Sequence, residues 1–478
     1  MINYFDIKNK FVVYGLGISG VASLRYLAKN FPNQLIATND NFEAISKTQE
    51  NLKDQTNFKT KIKYKNPQDI VFDKDTVVVN SPGISIFNPP HPILSKALEN
   101  GAMITCDVEL FYQINKQHKF IAVTGTNGKS TTASLINHIQ QNIDLNCNLG
   151  GNIGIACFDI PEAKSDQNYT LEISSYQIDL LHDARFEIAT LNNITPDHIE
   201  RYGNFENYCL SKKRIFNNQV SGDFAVINID NKATKAIFDE LNLDKKFLAQ
   251  TIAISTDTIV NNGLSIIGNN IYINLFNQNF SYELYPKFLV GKHNSENIAI
   301  AFSAALCNLY KNYPSKFTED TFKKIINIIE NFTGLKHRLQ FLGKIDEINF
   351  YNDSKATNAD STSFALKAFD NIFWILGGRA KTGGIESLVP FFNKIKKAYL
   401  IGEASDDFAK ILDKNNVKFE KCKTLDNATK KAFIDAKESK ISNKTLLLSP
   451  ACASFDQWQN FEERGNYFCE IFNELKAN

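Results

Sequence analysis

The chain is poor in the features that tie a protein to a membrane, an oxidising compartment or a polyanion. Among its 478 residues no unbroken apolar run approaches the ~18 needed to cross a bilayer, so no membrane insertion is expected. The opening residues, MINYFDIKNK, lack the apolar core and small-residue cleavage site of a secretory signal, which predicts a cytoplasmic location. Eight cysteines stand singly with no C-x-x-C pair, which argues against a zinc site or a disulfide framework. Fifty-three basic residues nearly balance 52 acidic ones, and a net charge of +1 gives no broad attraction to nucleic acid or anionic lipid. No repeat recurs at a short fixed period. What remains is 43 % apolar and 22 % charged, the composition of a globular protein long enough for two to four domains.

What is present is alternation. Short apolar strands alternate with helical patterns almost throughout, which predicts parallel α/β sheets. Strands are expected near 11–14, 34–39 and 76–80, then near 119–124, 169–173 and 186–192. The stretch from 223 to 285 reads as irregular and β-rich, and a helix is expected at 293–309. A last group of strands is expected near 348–351, 372–376, 397–401 and 444–448. Breaks near 107 and 334 divide the chain into three α/β domains, 1–107, 108–333 and 334–478.

Two glycine loops follow strands and open helices. In YGLGISG, Gly15, Gly17 and Gly20 fit G-x-G-x-x-G, and Asp40 lies twenty residues beyond Gly20, as in dinucleotide-binding folds. An NAD-dependent oxidoreductase is therefore one reading. In TGTNGKST, Gly125, Gly128, Lys129 and Ser130 resemble a phosphate-binding loop, although Val123 stands where the full pattern has its first glycine. Backbone N–H groups of such a turn and of the following helix form an anion nest. Lys129 would neutralise phosphate oxygens, and Ser130 or Thr131 would ligate magnesium. An ordinary glycine turn is the plainer alternative; a lysine directly before two hydroxyl residues at a helix start argues against it.

Further along, Glu172 lies on a strand beside Ser174 and Ser175, a natural place for a magnesium ligand. His198 follows another strand end, where open α/β sheets bind ligands. Lys212, Lys213 and Arg214 would ordinarily form a solvated helix face. Crowding among them would also lower a lysine's pKa, and a neutral amine can take up CO₂ to become an anionic carbamate.

Taken together, TGTNGKST, LEISSYQ, NITPDHIERY, KKRIF, GKHNSEN, GLKHR, NDSKATN and LLLSPACASFDQWQNFEERG resemble the Mur ligases, in the same order through all three blocks. Folylpolyglutamate synthetases share the phosphate loop but not the C-terminal string. The resemblance implies a Rossmann-like N-terminal domain, a central domain with a phosphate loop and a parallel sheet, and a Rossmann-like C-terminal domain. It implies an ATP-dependent ligase that joins D-glutamate to the alanine carboxylate of UDP-N-acetylmuramoyl-L-alanine through an acyl phosphate, in peptidoglycan precursor synthesis. The first glycine loop would then hold the UDP end of the substrate, not NAD. Two mutually repelling anions must meet, so cations are needed, and Lys129, His198, Arg338, Lys355 and bound magnesium would supply them.

Residue roles follow from the same resemblance. Gly125, Thr126, Asn127, Gly128, Lys129, Ser130, Thr131 and Thr132 would cradle the phosphates. Ser130 and Glu172 would serve one magnesium ion, and His198 with carbamylated Lys212 a second. Asn294, Asn297, Arg338 and Asp353 would hold the adenine, ribose and phosphates. Ile18, Ser19, Asp40, Ser81 and Gly83 would line the uridine diphosphate pocket, with Asn152, Ser174 and Gln177 reaching the rest of that substrate. Lys355 would contact the acyl phosphate and Thr357 would lie near the incoming glutamate, whose carboxylates would meet Lys381, Ser454 and Phe461. Arg379 stands where some members carry an acid, and no "DNPR" string of the diamino-acid-adding ligase is present. A monomer is expected. A sister ligase adding another amino acid and a non-catalytic nucleotide-binding scaffold remain as alternatives.

Overall fold

The computed structural model describes residues 4–6, 8–31, 34–53, 62–153, 155–289, 291–380 and 384–477. Its strands form three sheets. The first has the order Ile62–Tyr64, Leu35–Thr38, Lys10–Tyr14, Thr76–Asn80, Met103–Thr105, all parallel. FVVY and TVVVN are buried along their whole length, as strands covered by helices on both faces must be. Strand order reverses between Lys10–Tyr14 and Thr76–Asn80, and the crevice beyond their carboxyl ends is the natural ligand site of such a sheet.

The second sheet has nine strands. From one edge they run Gln278–Glu283, Asn270–Leu275, Gly263–Ile267, Gln250–Ser255, Phe224–Asn228, Ile188–Leu191, Lys119–Thr124, Asn168–Glu172 and Cys147–Gly151. The β-rich stretch is thus an extension of the parallel sheet, with an antiparallel hairpin at its end. The hairpin turns at Gly268 and Asn269, where both residues are exposed. Helix Lys292–Asn312 packs across this sheet with Ile298, Phe302, Ala305 and Leu309 fully covered.

A single apolar cluster joins the first two sheets, from Val12 and Val78 through Cys106, Val108 and Phe111 to Phe120, Ala122 and Leu171. The expected break at 107 falls inside it. Helix Asp107–Asn115 begins there, and the buried Glu109 carboxylate accepts the N–H groups of His182, Asp183 and Ala184. The chain forms two compact units, Met1–Tyr285 with Lys292–Ile329, and Pro286–Gly291 with Glu330–Asn478.

The second unit holds the third sheet, ordered Gln340–Ile345, Ile348–Asn352, Lys444–Leu448, Ile372–Gly377, Ile395–Ile401, Phe419–Lys423. Five of these strands are parallel and the first is antiparallel. Separate apolar clusters cover its two faces, one around Trp374 and Leu400, the other around Phe350, Tyr399 and Phe468.

Candidate functional site

The phosphate loop hangs between strand Lys119–Thr124 and helix Lys129–Asn142, where three parallel strands end side by side. Gly128 is in the left-handed region at φ 80°, and a Cβ there would drive into the Asn297 side chain. Only glycine meets both demands. Asn193 fastens the loop from the next strand end: its carbonyl accepts Thr126 N–H at 2.8 Å and its Oδ1 accepts Asn127 N–H at 2.9 Å. Underneath lies a buried amide network. Asn192 Nδ2 donates to Thr132 Oγ1 at 2.7 Å and to Asn297 Oδ1 at 3.3 Å, and Asn297 Nδ2 donates to Asn294 Oδ1. Ser130 and Thr131 are buried in the first helical turn.

Two lysines meet at this loop. Lys129 Nζ donates to the carbonyls of Gly125 and Thr126, at 2.9 and 2.8 Å. Lys212, 1 % exposed at the end of helix Phe205–Lys213, donates to the same Gly125 carbonyl at 2.8 Å. Of the charged run, Lys212 alone turns fully inward. Burial first, and the Lys129 charge second, hold its amine well below the usual lysine range. Beside them the strand Asn168–Glu172 delivers a buried carboxylate. Glu172 Oε1 accepts from Asn152 Nδ2 at 2.9 Å, whereas Oε2 has no hydrogen-bond partner among the described residues. A buried anionic oxygen with no donor suits a cation, and the hydroxyl at Ser130 adds a hard oxygen of the kind magnesium takes. The donor chemistry therefore fits the expected ion.

His198 sits in the left-handed region at φ 53°, its ring 4.9 Å from that of Tyr176 and paired with Asp197 at 3.4 Å. Burial lowers its pKa, against the opposing pull of Asp197 and Glu200, and Lys212 and Lys129 are close enough to push the same way as burial. Ser174 and Gln177 form a capping box on the short helix Ser175–Ile178, and the Gln177 amide also reaches Asp107. Gln177 is 1 % exposed, so its groups are committed to the protein.

At the first loop Gly20 lies so close to the Gly15 carbonyl that a Cβ could not be placed between them. Ile18 is 78 % exposed at the helix start, and Gly83 is exposed with open space where a side chain would go. Ser81 donates to the Gly15 carbonyl at 2.9 Å, fixing one edge of the crevice to the other. The Ser19 hydroxyl interacts with the buried Asp107 carboxyl. Asp40 accepts from Tyr14 Oη at 2.6 Å and faces His91 Nε2 at 3.4 Å. Arg201 spans from here to the phosphate side: its Nη1 donates to the Pro82 carbonyl and its guanidinium lies 3.8 Å from the Tyr176 ring centre.

The second unit gathers a different set. Asp353 is buried at the end of strand Ile348–Asn352, accepting from Ser449 Oγ at 2.7 Å and Leu339 N–H at 3.1 Å; burial pushes its carboxyl up to about 7. Arg338 is close enough to oppose that rise. Lys355 Nζ stands 5.3 Å from the Phe461 ring, and Thr357 N–H turns back to the Lys355 carbonyl. Ser454 is buried. Arg379 forms a two-pronged ion pair with Glu403. Lys381 lies outside the described residues. Asn192, Asn193, Tyr14, His91, Arg201 and Arg464 went unnoticed in the sequence. Arg464 had a signal there: it shares a helical face with Phe468 and Phe472.

Known proteins resemble the chain over these same segments. Residues 123–305 match the Mur ligase middle domain, and residues 337–452 the Mur ligase glutamate ligase domain. The chain is 42 % identical over 408 residues to the UDP-N-acetylmuramoylalanine–D-glutamate ligase of Rickettsia bellii, covering 85 % of this chain and 86 % of that protein. It is 37 % identical to the enzyme of the same name from Paramagnetospirillum magneticum, covering 98 % of each. Among solved structures, UDP-N-acetylmuramate-alanine ligase from Thermotoga maritima superposes with a TM-score of 0.55 at 13 % identity, over 98 % of this chain and 99 % of that one. MurF from Acinetobacter baumannii gives 0.55 at 14 % identity, over 84 % and 93 %. At such identities the likeness is one of fold.

Proposed function

The chain belongs to the Mur ligase family, and from that premise we infer that it is an ATP-dependent ligase joining D-glutamate to the alanine carboxylate of UDP-N-acetylmuramoyl-L-alanine in peptidoglycan precursor synthesis. The carboxylate takes the γ-phosphoryl group of ATP and releases ADP. The glutamate amine then attacks the acyl carbon, and phosphate leaves with formation of the amide. This leaves the nicotinamide-dependent oxidoreductase and the inert scaffold without support.

The observation that carries the mechanistic reading is the meeting of Lys129 and Lys212 on the Gly125 carbonyl, beside a Glu172 oxygen that no described residue partners. The loop N–H groups and Lys129 hold the phosphates, with Lys129 exchanging its carbonyl partners for phosphate oxygens. Lys212, whose amine burial and the Lys129 charge hold well below the usual lysine range, would react as the free amine with CO₂ and lose a proton to become a carbamate. Ser130 and Glu172 would hold one magnesium ion, and His198 with a carbamylated Lys212 a second; magnesium there would supply neutralisation of the negative charge that the two anionic substrates bring together. Asp40, Ser81 and the Ile18–Ser19 turn receive the uridine diphosphate. Asn152, Ser174 and Gln177 border the remainder of that substrate. Asn294, Asn297, Arg338 and Asp353 serve ATP, and Lys355, Thr357, Lys381, Ser454 and Phe461 serve the acyl phosphate and D-glutamate.

No helix among the described residues is long and apolar enough to cross a membrane. We place the enzyme in the cytoplasm, as a monomer working through three functional segments, 1–107, 108–333 and 334–478. The deciding experiment is phosphate release with UDP-N-acetylmuramoyl-L-alanine against a panel of D- and L-amino acids. Turnover confined to D-glutamate is expected. Release with another amino acid alone would reassign the chain to a sister activity.

A further inference from the structure

Arg464 is a charged residue that forms no ion pair with any carboxylate among the described residues. It lies one turn into helix Phe461–Ala477 and is fully buried. Its Nε donates to Ser354 Oγ at 2.9 Å, and its Nη2 to the carbonyls of Ser354 at 2.8 Å and Cys452 at 3.1 Å. Nη1 has no hydrogen-bond partner among the described residues. It lies beside Gly378, where a Cβ would come within 3.3 Å of it and would strike the Ala453 carbonyl. Ser354 in turn donates to the Phe461 carbonyl at 2.9 Å. Burial lowers the guanidinium to about 10, still a cation at neutral pH, and the carboxyls that influence it, Asp456 and Asp353, make no hydrogen bond to it.

A buried charge without a paired carboxylate is costly, since no counter-ion repays its lost hydration. The chain segments that this one fork ties together are informative. Ser354 precedes Lys355. Gly378, which borders Nη1 without bonding to it, stands three residues before Lys381 in the sequence. Cys452 and Ala453 precede Ser454. Phe461 begins the helix of Arg464 itself. Each segment carries a residue assigned above to D-glutamate or its acyl partner, and all belong to one compact unit.

We propose that Arg464 is the positioning residue of the amino-acid site, fixing these segments in register and lending the pocket a buried positive field that favours a dicarboxylate. The proposal rests on the reading that this site takes D-glutamate. A bare positive charge in a low-dielectric setting acts over several ångströms, so Arg464 need not touch the ligand.

Steady-state kinetics of Arg464→Gln, Arg464→Lys and Ser354→Ala test it. Arg464→Gln should raise KM for D-glutamate by ~10-fold or more, while KM for ATP and for the UDP-substrate stay within about twofold. Arg464→Lys should fall between, keeping charge but losing the fork. Ser354→Ala, a small change on the same fork, should raise KM for D-glutamate alone by about threefold; it keeps the test open if Arg464→Gln fails to fold. A further variant, Arg464→Ala, leaves room for a small cation, and millimolar guanidinium should lower its D-glutamate KM. The proposal is overturned if all three KM values move together, or if melting temperature falls with no selective change for D-glutamate. A wild-type enzyme that releases no phosphate with D-glutamate would instead refute the functional assignment.

Discussion

The two polar regions of this molecule are built in opposite ways. At the phosphate loop, the nest itself is one run of chain, 125–132, mostly backbone N–H groups and side chains one turn apart, to which Glu172, Asn193 and Lys212 are brought from elsewhere. Around Asp353, the groups come from five separated stretches, 337–339, 352–357, 378, 449–454 and 461–464, and a side chain, Arg464, binds several of them. A contiguous nest is made by local conformation and is stiff from the start. A dispersed pocket exists only once its sheet and last helix have packed. The first should therefore answer to changes in chemistry, the second to changes in support.

The sharpest way to break that contrast is Lys129→Ala. Removing the cation of the contiguous nest should cut kcat by ~10³-fold with an unchanged circular dichroism spectrum; a loss confined to KM for D-glutamate would erase the distinction. Next in size, Lys212→Ala should lose ~10²-fold in turnover and recover part of it with short carboxylic acids that replace a carbamate. An intact mass with no CO₂ adduct, together with no such recovery, would remove the carbamate.

The dispersed region should reveal itself in stability. Asp353 is raised to about 7, so its contribution is fully present below the ordinary carboxyl range and is lost as pH climbs through 7. Between roughly pH 4 and 7 the folded chain keeps a proton that the unfolded chain has released. Melting temperature should decline across that window, by an amount on the order of 1–4 kcal/mol in stability. Asp353→Asn should flatten the decline; an unchanged slope would mean that the carboxyl is ionised in the fold. Smallest of all, Arg379→Ala should leave the melting temperature within about 1 °C, because its pair with Glu403 is solvent-screened. A large loss would place that pair inside the pocket's support.

The contrast also explains what could be read from the sequence. The phosphate loop, its strand and its helix were legible because strand, turn and helix signals stand next to one another. Long buried strands such as TVVVN and IFWILG declared themselves by β-branched and aromatic content. Outside the β-rich stretch 223–285, five strands escaped notice. Ile62–Tyr64 and Met103–Thr105 have three residues each, Cys147–Gly151 carries two glycines, Phe419–Lys423 is charged along its length, and Gln340–Ile345 is nowhere fully buried. Such edge strands are defined by their neighbours more than by their own residues. The seam at 107 was hidden because Glu109 reads as a surface acid until its three N–H donors are brought from residues 182–184. Lys212 looked like one of three solvated cations, and nothing in KKR tells which turns inward.

The hairpin turn at Gly268 and Asn269 offers a practical use. Its strand Gly263–Ile267 runs parallel with the rest, so the turn emerges on the same rim as the phosphate loop, four strands or about 20 Å across. None of the eight native cysteines is exposed. A single thiol introduced at Asn269 would thus be the most accessible one for a maleimide dye, within energy-transfer range of a fluorescent nucleotide and clear of the reacting atoms.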